Sequence, residues 1–193
     1  MIFEVLQIIT EDVNGYLNSN SVSLDNIATV ASEQGDTNGS TTDIILTLLN
    51  IQEEGTLKNT PNYSVNGTTV AYKNPIVNLN LYILFSANNT DYAESLRKLS
   101  SVLGFFQGKK VFTQSNTIYN RDNALMNNIS DFKFVVDLFT PTFEELNFVW
   151  GTLGGKQMPS VMYKVSLIKI ERETIISKGG LVTQVNGELN HIN

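Results

Sequence analysis

Residues 76–112, IVNLNLYILFSANNTDYAESLRKLSSVLGFFQGKKVF, decide the fold. Val77, Leu79, Leu81, Ile83 and Phe85 alternate with Asn78, Asn80, Tyr82, Leu84 and Ser86, a period of two that lines one face of a pleated strand with apolar side chains. The following ANNTD places Thr90 or Asp91 where a side-chain oxygen accepts from the first free N–H groups of a helix, with Glu94 at the return position of a capping box if Asp91 is the cap. Tyr92, Leu96, Leu99, Leu103 and Phe106 then recur at spacings of three and four, which predicts a helix with one apolar stripe, and Gly104 and Gly108 fall near its end. A further strand starts at Lys110-Val111-Phe112. This is a core-building unit without the marks of an active site.

The same plan recurs, as pattern only, over 132–170. FKFVVDLF reads as a strand. TPTFEELNFVWGTL reads as a helix capped by Thr140 with Pro141 in its first position, and Phe143, Leu146, Val149 or Trp150, and Leu153 form its stripe. Gly154-Gly155 ends that helix, and PSVMYKVSLIKIE reads as a long strand with Val161, Tyr163, Val165 and Leu167 on one face. Two strand–helix–strand units predict an α/β or α+β fold, a mixed sheet with helices packed on one side.

Outward from these units, Ile2, Val5, Leu6, Ile9, Val13, Tyr16 and Leu17 predict an N-terminal helix closed near Asn18-Ser19-Asn20. NIATVAS from Asn26 suggests a short strand, and residues 32–42 a polar loop. DIILTLLNIQEE is apolar on both faces in its first half, as a central strand requires, and leaves the core through Gln52-Glu53-Glu54. Residues 55–75 form a polar, turn-rich excursion in which Asn66-Gly67, between YSV and TTVAY, signals a hairpin. Residues 113–130 are a second polar connection, Leu181–Val185 reads as a last strand, and a short tail follows from about 187. At 193 residues the expectation is one domain, 1–193, with a projecting arm near 55–75.

Composition narrows function by exclusion. A formal net charge of −6 argues against general nucleic-acid or anionic-membrane binding. The absence of cysteine removes thiolate and zinc–sulfur chemistry, and the one histidine, His191, lies three residues from the end, which leaves no catalytic triad or multi-histidine metal site. The N-terminus lacks the basic residues and cleavage pattern of a secretory signal, and no apolar run is long enough to span a bilayer, so a chain made in the cytoplasm is expected. Asn-x-Ser/Thr triplets at Asn38, Asn62, Asn66, Asn88 and Asn128 are then compositional. Glu144-Glu145 sits where a helix dipole favours acids, and Gly151–Lys156 departs from a phosphate loop at Trp150 and Gln157. No catalytic, cofactor-binding or metal-binding residue is assigned.

TLLNIQEEGTLKN, the 78–112 stretch and LNFVWGTLGGKQMPSVMYKVSLIKIE together resemble the cap or tail-terminator family of extracellular contractile injection systems, phage-tail-like particles such as the antifeeding prophage and the Photorhabdus virulence cassettes. The resemblance spans most of residues 1–172. It rests on Leu84, Phe85, Phe105, Phe106, Trp150, Gly154, Gly155, Lys156, Pro159 and Ser160, all structural positions. It implies a phage tail-terminator-like fold and a non-enzymatic protein that forms a ring, a hexamer in the family, on the end of the inner tube and sheath. That role needs no cofactor, takes the protein itself, tube and sheath as partners, and places the chain in the released or membrane-attached particle. Expected subunit or sheath contacts are Asn50, Gln52, Glu53, Glu54, Leu57, Lys58 and Asn59, and an exposed strand edge offers itself for pairing across subunits. A ligand- or partner-binding module and a carboxylate-based hydrolase are the alternative readings.

Overall fold

The structure, a computed structural model, describes residues 1–32, 43–57, 61–67, 69–120, 126, 132–170 and 175–180. Its elements in chain order are α1 (Ile2–Leu17), β1 (Val22–Leu24), α2 (Ile27–Ser32), β2 (Ile44–Glu53), β3 (Tyr63–Asn66), β4 (Thr69–Lys73), β5 (Val77–Ala87), α3 (Tyr92–Gly108), β6 (Val111–Thr113), β7 (Lys133–Phe139), α4 (Phe143–Thr152), β8 (Ser160–Ile170) and β9 (Ile175–Gly180). Chain contacts divide into two compact units, residues 1–53 with 79–168, and residues 54–78 with 169–193.

The first unit holds a mixed six-stranded sheet in the order β1-β2-β5-β8-β7-β6. β1 runs parallel to β2, while β2–β5, β6–β7 and β7–β8 are antiparallel. β5 sits near the centre and is buried over most of its length, on both faces, as expected of a strand whose even positions also include Leu84. Its odd positions Leu81, Ile83 and Phe85 join α1 and α3 in the larger core, where the Phe106 ring lies 5.6 Å from Phe85, 5.0 Å from Phe105 and 4.4 Å from Tyr163. Leu84, on the other face, packs in a small cluster with Ile27 of α2, Ile45, Trp150 of α4 and Met162. The helices therefore cover both faces of the sheet, not the one expected, because β2 and β5 bury apolar side chains on both faces, with Thr47, Asn78, Asn80 and Ser86 buried among them.

Local chemistry accounts for the helix ends. Asp91 caps α3 by accepting from the Ala93 N–H at 2.9 Å. α4 begins two residues later than the Thr140 cap predicted from Pro141: Thr142 is the cap, with Glu145 completing a capping box by accepting the Thr142 N–H at 2.8 Å. Gly154 and Gly155, at φ +105° and +78°, close α4 in a conformation that other residues adopt only under strain. NIATVAS is a helix, α2, and not a strand: the Asn26 side chain accepts from the Ala28 N–H, an asparagine cap that the β-branched composition concealed.

Both edges of this sheet are closed by an asparagine. The Asn14 amide on α1 donates to the Val22 carbonyl at 2.8 Å and accepts the Val22 N–H at 2.9 Å. The Asn116 amide donates to the Val111 carbonyl at 2.9 Å and accepts the Thr113 N–H at 2.8 Å. Each side chain supplies the donor and acceptor that a neighbouring strand would supply.

The predicted Val161–Leu167 face breaks at its end. Leu167 adopts φ +69°, the left-handed region that costs a branched side chain about 1–2 kcal/mol, and leaves the core while Ile168 takes its place. Pairing with β7 stops at Ser166, one residue before the kink.

The second unit contains a three-stranded antiparallel sheet in the order β3-β4-β9. The Asn66-Gly67 hairpin forms as predicted, with Gly67 at φ +60°. Tyr63 and Val65 of β3 share a face with Val70 and Tyr72 of β4, and the two tyrosine rings lie 6.3 Å apart. The last described strand is Ile175–Gly180, and the predicted Leu181–Val185 strand and the tail from about 187 lie outside the described residues.

Candidate assembly surfaces

The residues expected to make contacts emerge from β2. A register shift between Leu48 and Asn50 turns the strand's exposed end, where the Asn50 side chain accepts from the Ile51 N–H at 2.9 Å and Gln52 accepts from the Tyr82 hydroxyl at 3.0 Å. Asn50, Ile51 and Gln52 border a groove of about 1050 Å³ whose other walls include Phe3, Leu6, Phe139, Val149 and Leu153. Glu53 is exposed at the strand end. In the second unit, Glu54 accepts from both the backbone and hydroxyl of Thr56, at 3.2 and 2.7 Å, which holds the turn that opens the 55–75 segment. The Leu57 side chain and Lys58 and Asn59 lie outside the described residues.

The structural motif residues divide between the two clusters. Phe85, Phe105 and Phe106 are in the larger core, and Leu84 and Trp150 in the smaller. The carbonyl of Pro159 accepts the Ala87 N–H at 2.9 Å, joining the end of β5 to the start of β8 at Ser160. Lys156 is exposed in the turn after α4.

One surface escaped the helical-stripe reading. α3 buries Ser95, Leu99, Val102, Phe105 and Phe106, an arc rotated from the one predicted, and leaves Tyr92, Leu96 and Leu103 exposed. With Leu138 of β7 and Phe143 of α4, 92% exposed although predicted to face the core, they line an open apolar slot of about 770 Å³ floored by Leu99, Leu146 and Met158. The signal was present: apolar residues cover more of α3 than one contact with a sheet requires.

Among the described residues no group of three or more His, Asp or Glu gathers to hold a metal ion, and no helix is long and apolar enough to cross a membrane. Burial pushes the Tyr163 hydroxyl up to about 12, as a packed core tyrosine requires.

A family model of the Pvc16 N-terminal domain matches residues 4–184. The chain belongs to the Pvc16 N-terminal domain family. The fold agrees with two solved structures: the sheath/tube terminator of the PVC extracellular contractile injection system in its extended state (TM-score 0.63, 16% identity, all of this chain and 64% of that one) and the tube-terminating cap of the anti-feeding prophage (TM-score 0.62, 16% identity, 96% of this chain and 60% of that one). The chain thus spans less than two thirds of either protein. Among proteins with curated descriptions, none matches significantly.

Proposed function

We propose that this chain is a non-enzymatic terminator of a contractile injection particle. It forms a ring of six subunits on the end of the inner tube and sheath, stops polymerisation there and anchors the last sheath layer. The observation that carries this reading is membership of the Pvc16 family over nearly the whole chain, joined to a fold shared with two proteins that end such tubes. Residues 1–193 act as one cap domain, the 55–75 segment serves as its arm, and Asn50, Gln52, Glu53 and Glu54 with Leu57, Lys58 and Asn59 meet a neighbouring subunit or the sheath. With Asn14 and Asn116 occupying backbone groups on its two edge strands, the six-stranded sheet is less open to strand pairing there than the β3 and β9 edges of the second unit. Assembly begins among cytoplasmic proteins and ends in the finished particle.

The test replaces Glu53 and Glu54 together by Lys and follows particle assembly by electron microscopy. A monomer with an unchanged circular dichroism spectrum, together with tubes and sheaths of uncontrolled length, is expected. Particles of normal length would remove these residues from the contact set.

A further inference from the structure

Every large side chain on the rim of the α3–α4 slot faces outward. Phe143 is 92% exposed, Tyr92 67% and Leu138 56%, and Leu96 and Leu103 are exposed beside them. Together they present on the order of 500 Å² of apolar surface, at the top of the range a monomer keeps in one patch. With a polar rim the patch approaches the roughly 800 Å² per partner of a stable interface. Among the described residues no charged side chain lines the slot itself; the acids Asp91 and Glu144 stand exposed beside its residues Tyr92 and Phe143, while Glu94 pairs with Arg97 at 3.2 Å and Glu145 borders the groove toward β2 instead. The opposite character is found at β6, the sheet edge farthest from β1. There Lys110 and Lys133 are exposed on either side of the exposed Val111, while Lys109 is held by Asp12 at 2.5 Å. The Asn116 seal leaves that edge to act through side chains alone.

We infer that the slot is the ring's subunit interface, and that its occupant is the lysine-flanked β6 edge of a second copy of this chain. Val111 enters among Phe143, Leu96 and Leu138, and Lys110 and Lys133 meet Glu144 and Asp91. Two different patches on one chain make a head-to-tail contact, the kind that closes into a ring. Burial of the aromatic centre supplies most of the affinity, and the charges set the register and the association rate. This inference rests on the ring reading above and gives that ring its contact surface.

The experiment uses the absence of cysteine from the chain. Phe143→Cys and Val111→Cys are made singly and together in the full-length protein, oxidised, and run on a denaturing gel beside light scattering of the unoxidised chain. The double variant is expected to give a ladder of oligomers and each single variant no ladder. Glu144→Lys should weaken self-association about tenfold or more, and Lys133→Glu in the same chain should restore it. Oligomers by light scattering with no ladder, and no effect of charge reversal, would overturn the slot while leaving the ring intact. A wild-type chain that stays monomeric, alone and on tube ends, would overturn both. Loss of sheath binding in Glu144→Lys with self-association unchanged would assign the slot to the sheath and overturn its assignment here.

Discussion

The two faces of the six-stranded sheet are built to different standards. One carries α1 and α3 and buries aromatic rings in several layers, from Phe85 and Tyr163 through Phe106 to Phe112 and Phe134. The other carries the short helices α2 and α4 over Ile27, Ile45, Leu84, Trp150 and Met162, with an apolar groove beside α4 toward β2 and a slot on its other flank. The first face buries the larger cluster, although α3 also keeps Tyr92, Leu96 and Leu103 exposed along the slot. The second holds its helix by one fully buried side chain, Trp150, and keeps apolar surface in water beside it. An isolated domain loses by that arrangement, since exposed apolar area of this size is unfavourable. In the ring proposed above, a subunit that exchanges this surface for a neighbour's would recover it, and the unequal faces would divide the work between folding and assembly.

The largest effect that separates the faces is expected from Phe106→Ala. Removing a buried ring that contacts Phe85, Phe105, Phe112 and Tyr163 should cost about 4 kcal/mol in denaturant unfolding. A loss under about 1 kcal/mol would mean the larger cluster is not the seat of stability.

Alkali reads the same core through Tyr163. Below pH about 10 folded and unfolded chains both keep the phenolic proton, and the contribution is intact. Between there and the folded value of about 12 the unfolded chain ionises while the buried tyrosine does not, so stability falls as pH rises, by at most about 3 kcal/mol. The steeper decline of wild type relative to Tyr163→Phe over that window is the measurement; parallel curves would place the hydroxyl in solvent.

The smallest effect belongs to the thinner face. Thr142→Ala removes one half of the capping box and should cost about 1 kcal/mol. Hydrogen exchange should show it as faster exchange in α4, with α1 and α3 unchanged. Equal acceleration in all three would join the faces into one cooperative unit and end the distinction drawn between them.

Much of this was legible from residue order. The alternation of 77–87, the Asp91 cap, the Asn66-Gly67 turn and the Gly154-Gly155 stop are local signals, and each formed where expected. Two local readings failed, the strand at NIATVAS and the cap at Thr140, and the other failures were properties set by tertiary partners. Periodicity shows that α3 is amphipathic but not which arc meets the sheet when apolar residues exceed one stripe, so Leu96 and Leu103 were assigned inward. Phe143 shares the helical phase of Leu146 and Trp150, yet at the first turn of α4 it stays exposed while Trp150 is buried. Leu167 breaks its strand's alternation through a backbone conformation that leucine does not announce. The slot was the least legible part, because exposure is a property of the assembled fold, and its lining comes from positions as far apart as 92 and 162.

The asparagine seals also bear on how the molecule ages. An amide can stand in for a strand because it carries a donor and an acceptor a fixed distance apart; hydrolysed to a carboxylate, it keeps only acceptors. Asn14 is followed by Gly15, the neighbour that least hinders attack of the backbone nitrogen on the side-chain carbonyl. The helical backbone of α1 holds those atoms out of reach, so the folded chain protects the amide that protects its edge. A chain left unfolded has no such shelter. Deamidated at Asn14, it would refold with the Val22 carbonyl facing a carboxylate in place of a donor, and with β1 open to whatever strand came next.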